Sequence, residues 1–262
     1  MSVRTSPWPP GVPCWVELTT PDVDAAKAFY AGVCGWAYQD AGPDFGGYAI
    51  GQVGGRTAAG IAPQQEGAPV AWLVYVASDD VDATAAAIGD NGGTVFFPPG
   101  DVGDFGRMCL ATDPGGAAFG VWQHGTTIGA EVTNEPGGLA WEDLRSADPD
   151  ASRAFFSGVF GYHTDPIPGA PDDYTTFALA GQEAPLGGIG GFFGDSRTPA
   201  WTIYFGVADT DAAVAAAEAG GGTVTEPAHD TPFGRMAGLA DPSGARFTVI
   251  RVPDEWNQGS QG

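Results

Sequence analysis

The chain has 262 residues, a formal net charge of -22 and a pI near 4.1, and it is long enough for two domains that each bury a core. Apolar residues make up 43%, and 42 glycines with 22 prolines predict many tight turns in an ordinary folded protein. One lysine and nine scattered arginines exclude a phosphate-binding surface, and with it nucleic acid and anionic membranes as partners.

The predicted elements begin with the strand "CWVELTT" and a helix in "PDVDAAKAFYAGVCG", which an aspartate caps and a glycine ends. Strand-like runs such as "GYAIGQV" and "TAAGIA" follow, separated by Gly or Pro turns. The same order starts again at Ala71, with a second helix in "DDVDATAAAIGDNGG". The first half of the chain is therefore predicted to contain two βαβββ units.

The second half repeats the first. Residues 14–36 and 140–162 share 10 identities in 23 positions, and residues 71–95 and 200–224 share 12 in 25. "FGRM" recurs at 105–108 and 233–236, before "DPGGAAFGV" and "DPSGARFTV". Such self-similarity predicts homologous domains. We place them at 12–125 and 138–253, with a linker over 126–137 and flexible tails over 1–11 and 254–262.

Four such units, with "FY.GV.GW" after the first helix and "DP.GA.F" before the last strand, resemble the vicinal oxygen chelate superfamily. This group contains glyoxalases, bleomycin-resistance proteins and extradiol dioxygenases, and the resemblance covers about residues 13–252. It implies an α+β fold in which four βαβββ modules form two glyoxalase-like domains with cup-shaped mixed sheets, whose concave faces hold the active site. Whether the modules pair within each half or between halves stays open.

In metal-dependent members, the first and last strands of the units supply His, Glu or Gln to a divalent cation. Matched residue by residue, the first-strand positions fall on Trp15, Trp72, Trp141 and Trp201. The last-strand positions fall near Gly60, on Gly120, near Gly188 and on Thr248. None of these is a metal ligand, and the chain has only three histidines. We therefore expect no metal and no other cofactor, although a metal-dependent lyase or dioxygenase stays an alternative.

The tryptophans fit either core packing or a pocket wall. Strand alternation groups Trp15 with Glu17 and Thr19, and it groups Trp141 with Asp143 and Arg145. A face that carries a carboxylate is a poor core wall but a good pocket lining. Glycine at three last-strand positions leaves room opposite the indoles, which favours a slot for a flat, apolar ligand.

Glu17 and Asp143 are the candidate catalytic residues, because burial beside an indole raises a carboxyl pKa toward the range useful for acid–base chemistry. The alternative is a solvated carboxylate, or one that partners a backbone amide or an arginine. Arg145 could neutralise Asp143 or bind a substrate oxyanion, whereas Thr19 at the matching position cannot.

The two "FGRM" arginines, Arg107 and Arg235, could contact a ligand oxyanion at the pocket rim. Alternatively they brace the loop before the final hairpin. The "DPGG" and "DPSG" segments are interpreted as turn chemistry alone.

These features predict a cytoplasmic protein that binds a planar, oxygenated metabolite of the aromatic polyketide type between indole walls. Cys14, Cys34 and Cys109 are an odd number without metal spacing and indicate reduced, mostly buried thiols. The favoured hypothesis is a metal-independent isomerase- or lyase-type enzyme that uses Glu17 or Asp143. A non-catalytic binding or resistance protein, monomeric or homodimeric, is the rival from another class.

Overall fold

The computed structural model describes residues 4–192 and 197–251, which form two eight-stranded sheets and four α-helices. The elements of the first half are β1 (Pro13–Thr20), α1 (Val23–Cys34), β2 (Ala37–Asp40), a 3-10 helix (Pro43–Phe45), β3 (Ala49–Val53), β4 (Arg56–Pro63), β5 (Ala71–Ala77), α2 (Val81–Asp90), β6 (Thr94–Val102), β7 (Gly106–Thr112) and β8 (Ala118–His124).

The second half repeats this order without the 3-10 helix. Its elements are β9 (Leu139–Arg145), α3 (Pro149–Phe160), β10 (Tyr162–Pro166), β11 (Thr175–Leu179), β12 (Gly187–Gly190), β13 (Ala200–Gly206), α4 (Thr210–Ala219), β14 (Thr223–Thr231), β15 (Gly234–Ala240) and β16 (Arg246–Arg251). All four helices begin at an aspartate whose carboxylate accepts the N–H three residues on, as the sequence predicts: Asp22, Asp80, Asp148 and Asp209.

Modules pair within each half, which settles the question that the sequence leaves open. The strand orders are β2-β3-β4-β1-β5-β8-β7-β6 and β10-β11-β12-β9-β13-β16-β15-β14. Antiparallel pairing of β1 with β5, and of β9 with β13, joins the two first strands of each half at the centre of its sheet. The predicted α+β fold of two domains with mixed sheets is confirmed.

The helix-covered faces of the two sheets share one hydrophobic core. The Trp72 ring on β5 meets the Phe205 ring on β13, with centroids 5.0 Å apart. Helix α1 packs against α4, and α2 packs against α3. Because the helices and the core occupy one side of each sheet, the other side of each sheet is left as a concave face. We call these faces the first cup and the second cup.

The aspartate of each "DP.GA.F" motif accepts a buried side-chain hydrogen bond from the other half. Tyr30 Oη donates to Asp241 Oδ2 at 3.3 Å, and Ser152 Oγ donates to Asp113 Oδ2 at 2.6 Å. The other carboxylate oxygen of each aspartate accepts backbone N–H groups of its own turn. The interpretation of these motifs as turn chemistry alone is therefore incomplete, since each also binds the other half.

The N-terminal segment does not behave as the predicted tail over its whole length. The Arg4 N–H donates to the Glu131 carbonyl at 3.1 Å, and Trp8 Nε1 donates to the Ala130 carbonyl at 3.0 Å. Gly11 accepts a hydrogen bond from the Tyr162 hydroxyl of the second half. The predicted tail over 254–262 lies outside the described residues, and the domain boundaries stay a prediction.

Cys14, Cys34 and Cys109 are free and buried, in agreement with the sequence. In the described part of the chain, no helix combines the length and the hydrophobicity needed to cross a bilayer.

Glu142 is an unusual core residue. It is only 4% exposed, and at the matching place in the first half stands Val16. Within residues 4–192 and 197–251, no hydrogen bond or ion pair reaches its carboxyl group. Burial, with a smaller contribution from the Asp143 charge, holds the pKa of Glu142 well above its usual range. The folded protein therefore binds this proton more tightly than the unfolded chain does.

Tyr30→Phe should lower the free energy of unfolding by about 1–3 kcal/mol, because it leaves the buried Trp72 Nε1 without its acceptor, the Tyr30 hydroxyl at 3.0 Å. Urea denaturation measures the change. Tyr38→Phe is the matched control: the buried Tyr38 hydroxyl has no hydrogen-bond partner among the described residues, and its removal should cost nothing. Equal losses from both variants would contradict this account.

Glu142→Val should raise stability at pH 7 by about 1–3 kcal/mol, because it removes a buried, unpaired carboxyl group. A folded-state pKa above the unfolded value makes the wild type lose stability as pH rises from about 4.3 through the folded pKa. The stability gain of the variant should therefore grow over that interval. Thermal melts at several pH values test this, and a gain that is constant with pH would refute the assignment.

Candidate functional site

The first cup is built around the carboxyl group of Glu17, which lies on β1 between two tyrosines. Tyr75 Oη on β5 donates to Glu17 Oε1 at 3.0 Å. The Tyr48 hydroxyl, from the residue before β3, also hydrogen-bonds Glu17 and accepts from Trp15 Nε1 at 3.1 Å. An indole, two phenols and one carboxyl group thus form a single hydrogen-bonded cluster.

Burial raises the pKa of Glu17, while its hydrogen bonds with Tyr48 and Tyr75 act in the opposite direction. Burial and the nearby Glu17 charge also hold the pKa of both phenols well above the usual range, so the tyrosines stay protonated. Of the groups in this cluster, the Glu17 carboxyl is therefore the one that changes its protonation state most readily. Whether Glu17 carries a proton therefore depends on the molecule bound in the cup.

The second cup contains the same cluster around Asp143, but here the carboxylate is saturated. Asp143 is 2% exposed, and Trp141 Nε1 and Tyr174 Oη donate to its Oδ1 at 2.9 and 2.8 Å. Tyr204 Oη and Arg145 Nη2 donate to its Oδ2 at 2.8 and 2.6 Å. Four donors, one of them a cation, surround this carboxylate, whereas Glu17 has a threonine, Thr19, where Asp143 has Arg145.

The glycines at the last-strand positions do not leave an empty slot beside the indoles, contrary to the sequence interpretation. A Cβ atom on Gly60 would overlap the Tyr48 hydroxyl, and one on Gly188 would overlap the Tyr174 hydroxyl. A Cβ atom on Gly120 would overlap the Tyr75 ring. These positions are small because a tyrosine of the same cup crosses over them to reach the carboxylate. Only Thr248, which pairs with Tyr204, carries a side chain.

Trp72 and Trp201 do not line the cups. The prediction that all four first-strand tryptophans occupy equivalent places in a pocket wall is therefore wrong for these two. In the antiparallel pairing of β1 with β5, Trp15 lies opposite Tyr75, and Trp72 lies opposite Leu18 on the other face. The second half repeats this register with Trp141 opposite Tyr204. Trp72 and Trp201 are both core residues, and the cup residues equivalent to Trp15 and Trp141 are the tyrosines.

Arg107 and Arg235 lie away from the cups and brace the helices. Arg107 forms ion pairs with Asp82 of α2 and with Asp101, and Arg235 forms them with Asp211 of α4 and Asp230. Strand alternation on β7 and β15 instead puts the neighbouring methionines, Met108 and Met236, on the cup faces. The bracing interpretation of "FGRM" therefore describes the structure, and the substrate-contact interpretation does not.

The two cups differ in polarity at positions that strand pairing makes equivalent. The first cup presents Ile50, Leu73, Phe97 and Leu110, where the second presents Thr176, Thr202, Glu226 and Gly238. Phe97 is 49% exposed, and the other three apolar residues pack around Trp15 and Tyr75. The first cup is therefore an apolar surface around a carboxyl group, and the second is a polar surface around an ion pair.

The donor set of neither cup fits the divalent cation that the fold family implies. Each cup offers one carboxylate. The groups that donate to it are tyrosine hydroxyls, joined in the second cup by the Trp141 indole and Arg145, and none of these donors is a metal ligand of the kind the family uses. No group of three or more His, Cys, Asp or Glu side chains lies close enough together to hold a metal ion within the described ranges. His124, His163 and His229 are exposed or half-buried and lie away from both clusters.

The sequence interpretation missed the four tyrosines that complete the clusters. It correctly groups Trp15 with Glu17 in the first cup. It also correctly groups Trp141 with Asp143 and Arg145 in the second cup. A signal for Tyr75 and Tyr204 is present in the repeated pattern "WLVY" and "WTIY". Tyr48 and Tyr174 also occupy equal places in the two halves, one residue before a strand.

Comparison with family models identifies both halves. Residues 14–121 match the model of the Glyoxalase/Bleomycin resistance protein/Dioxygenase superfamily. Residues 143–250 match the model of a Glyoxalase-like domain.

Similar proteins span nearly the whole chain. CFP32 of Mycobacterium tuberculosis (strain CDC 1551 / Oshkosh), named as a candidate glyoxylase, is 40% identical over 95% of this chain and 97% of its own length. The anthracycline biosynthesis protein DnrV of Streptomyces peucetius is 37% identical over 97% of this chain and 98% of its own length.

Solved structures with the same fold include the Mn(II)-bound glyoxalase from Novosphingobium aromaticivorans, with a TM-score of 0.64 and 17% identity over 92% of this chain and 82% of that one. The 2,3-dioxygenase LapB from Pseudomonas sp. KL28 gives a TM-score of 0.66 and 14% identity over 92% of this chain and 93% of that one. At this identity the likeness concerns the fold alone.

Gly60→Ala should disrupt the first cluster, because the added methyl group would displace Tyr48 from Trp15 and Glu17. We expect a lower melting temperature and a change in tryptophan fluorescence. Gly32→Ala is the matched control: this glycine lies inside α1 with open space around it, and alanine there should stabilise the helix by about 0.5–1 kcal/mol. A Gly60→Ala variant as stable as the wild type would contradict the tight fit.

Proposed function

Because the chain belongs to the Glyoxalase/Bleomycin resistance protein/Dioxygenase superfamily, we propose that its concave faces are where it acts, and that the first cup is the functional one. This cup binds a planar, oxygenated small metabolite of the aromatic polyketide type. Glu17 then moves a proton to or from the bound molecule, in a reaction of the isomerase or lyase type that uses no metal.

The observation that carries this proposal is the contrast between the two carboxylates. Glu17 lies in an apolar cup, has a raised pKa and contacts two phenols. Asp143 accepts four hydrogen bonds, one of them from an arginine 2.6 Å away. A saturated carboxylate has no lone pair directed at a ligand. We therefore assign Asp143 and Arg145 to positioning Tyr174 and Tyr204, and proton transfer to Glu17.

The two phenols can stabilise the negative charge that forms on the ligand when Glu17 removes a proton from it. When the Glu17 carboxylate takes a proton from a carbon next to a carbonyl group, the negative charge moves to the carbonyl oxygen of the ligand. Tyr75 and Tyr48 then lose a charged acceptor, and their hydroxyls can donate to the new oxyanion instead. The proton returns from Glu17 to another atom of the ligand in an isomerisation, or accompanies a leaving group in an elimination.

The names of two relatives support the proposed ligand class. DnrV is named as an anthracycline biosynthesis protein, and it matches this chain from end to end at 37% identity. A second protein with that description, DauV of Streptomyces sp. strain C5, is 35% identical over 97% of this chain. The apolar lining of the first cup and its exposed Phe97 are suited to the same kind of flat molecule.

A non-catalytic binding protein is the second candidate. It is favoured by the single titratable group in the first cup, since a carboxyl group held by two phenols could also serve to recognise a ligand hydroxyl. In both cases we place the protein in the cytoplasm as a monomer or homodimer, which its three reduced, buried cysteines support.

Glu17→Gln should abolish proton transfer and spare ligand binding. Binding is measured by quenching of tryptophan fluorescence with 1,4-dihydroxyanthraquinone, and proton transfer by deuterium uptake from D2O into the C–H bonds beside the carbonyl group of 1-tetralone. We expect deuterium uptake to fall by about 100-fold or more, with the dissociation constant of the quinone unchanged. The wild-type rate should rise with pH through the raised pKa of Glu17, because the base is the carboxylate.

Asp143→Asn is the matched control and should keep the wild-type rate of deuterium uptake. Loss of uptake in this variant but not in Glu17→Gln would transfer the reaction to the second cup. Quinone binding without any deuterium uptake by the wild type would favour the non-catalytic candidate. Absence of both would refute the proposed function.

A further inference from the structure

Two phenylalanines meet across the mouth of the first cup. The rings of Phe45 and Phe105 have centroids 4.9 Å apart and planes inclined at 49°. Phe45 ends the 3-10 helix between β2 and β3, and Phe105 lies in the turn between β6 and β7. These connections belong to opposite edges of the eight-stranded sheet.

The contact must pass over the concave face, because α1, α2 and the shared core occupy the other side of the sheet. The chain after Phe45 supports this placement. The Tyr48 N–H donates to the Phe45 carbonyl at 3.0 Å, and the Tyr48 hydroxyl reaches Trp15 inside the cup. Phe45 therefore lies on the side of the sheet that carries the Glu17 cluster.

The two sides of the contact differ in how firmly they are held. The Phe105 carbonyl accepts N–H groups of Gly125 at 2.8 Å and Thr127 at 3.1 Å, which fixes the turn to the end of β8. Glycines with positive φ flank both segments, Gly42 at 111° and Gly46 at 61° around the 3-10 helix and Gly103 at 55° and Gly106 at 159° around Phe105. The backbone hydrogen bonds of Phe45 itself are local, to Gly42 and from Tyr48, and do not tie it to another strand within the described residues. Glycines can absorb a large change of backbone angle, so this short helix can swing while the turn stays in place.

The second half differs from the first at one of the two positions of this ring pair. Its turn keeps a phenylalanine, Phe233, but the position of Phe45 is taken by Pro171. The second cup is also the polar one, with Thr176 and Thr202 where the first has Ile50 and Leu73. The Phe45–Phe105 contact thus belongs to the apolar cup, where it would shield a flat aromatic ligand from water.

We propose that Phe45 and Phe105 form an aromatic gate, which opens to admit a planar ligand to the first cup and closes with ring-to-ring contact against it. This inference rests on the proposed function of that cup. The gate residues set how long the ligand stays and favour molecules with an aromatic face. Phe45 is the moving part, and Phe105 is its fixed stop.

The gate is tested by stopped-flow tryptophan fluorescence with 1,4-dihydroxyanthraquinone on the full chain. Phe45→Ala and Phe105→Ala should each raise the dissociation rate of the quinone by about tenfold or more, and the association rate by less. The double variant should dissociate no faster than either single variant, because both rings make one contact. Phe233→Ala removes the matching ring of the other half and should keep wild-type rates.

The outcomes separate the gate from the function on which it rests. If the wild type does not bind the quinone, the proposed function fails and the gate fails with it. If the wild type binds and Phe45→Ala dissociates at the wild-type rate, the gate alone is refuted. Phe45→Leu serves as a second variant, in which apolar bulk is kept and the ring is lost. It should show faster dissociation with an unchanged melting temperature.

Discussion

The antiparallel pairing of two first strands, β1 with β5 and β9 with β13, is the constraint on which the rest of the molecule depends. It joins two modules into one sheet, and it decides which side chains share a face. Trp15 and Tyr75 are brought together on the concave side, while Trp72 is sent into the core beside Leu18. A shift by one residue would exchange the two faces and bury Glu17 against the helices. The hydrogen-bonded cluster exists because this register holds.

Much of the architecture is readable in the sequence because it is local or repeated. Aspartate caps, glycine stops and the duplicated order of elements specify four βαβββ units, and strand alternation correctly groups Trp15 with Glu17. The cluster partners are not readable in the same way. Tyr75 and Trp72 are both aromatic residues on one strand, and only the hydrogen-bonding register chooses between them. Counting positions along the sequence therefore selected the wrong face for two of the four tryptophans.

The remaining differences between prediction and structure also come from long-range contacts. In the sequence, the "FGRM" arginines fit a place at the pocket rim as well as a bracing role. In the structure they form ion pairs with Asp82 and Asp211 of the helices and therefore do not reach a cup. Small residues opposite the indoles suggested an empty slot, yet tyrosines from distant parts of the chain occupy that space. A glycine in a strand reports that something approaches closely, and the sequence does not say whether that is a ligand or a neighbouring side chain.

The position of the shared core has a consequence for how such a protein changes over time. Both halves stabilise each other through their helical sides, with Tyr30 bound to Asp241 and Ser152 bound to Asp113, and the outward faces lie outside this shared core. Substitutions there are not constrained by contact with the other half. Duplication thus supplied two surfaces that could diverge, one with threonines and an ion pair and the other with an apolar lining. The asymmetry of the two cups records that freedom.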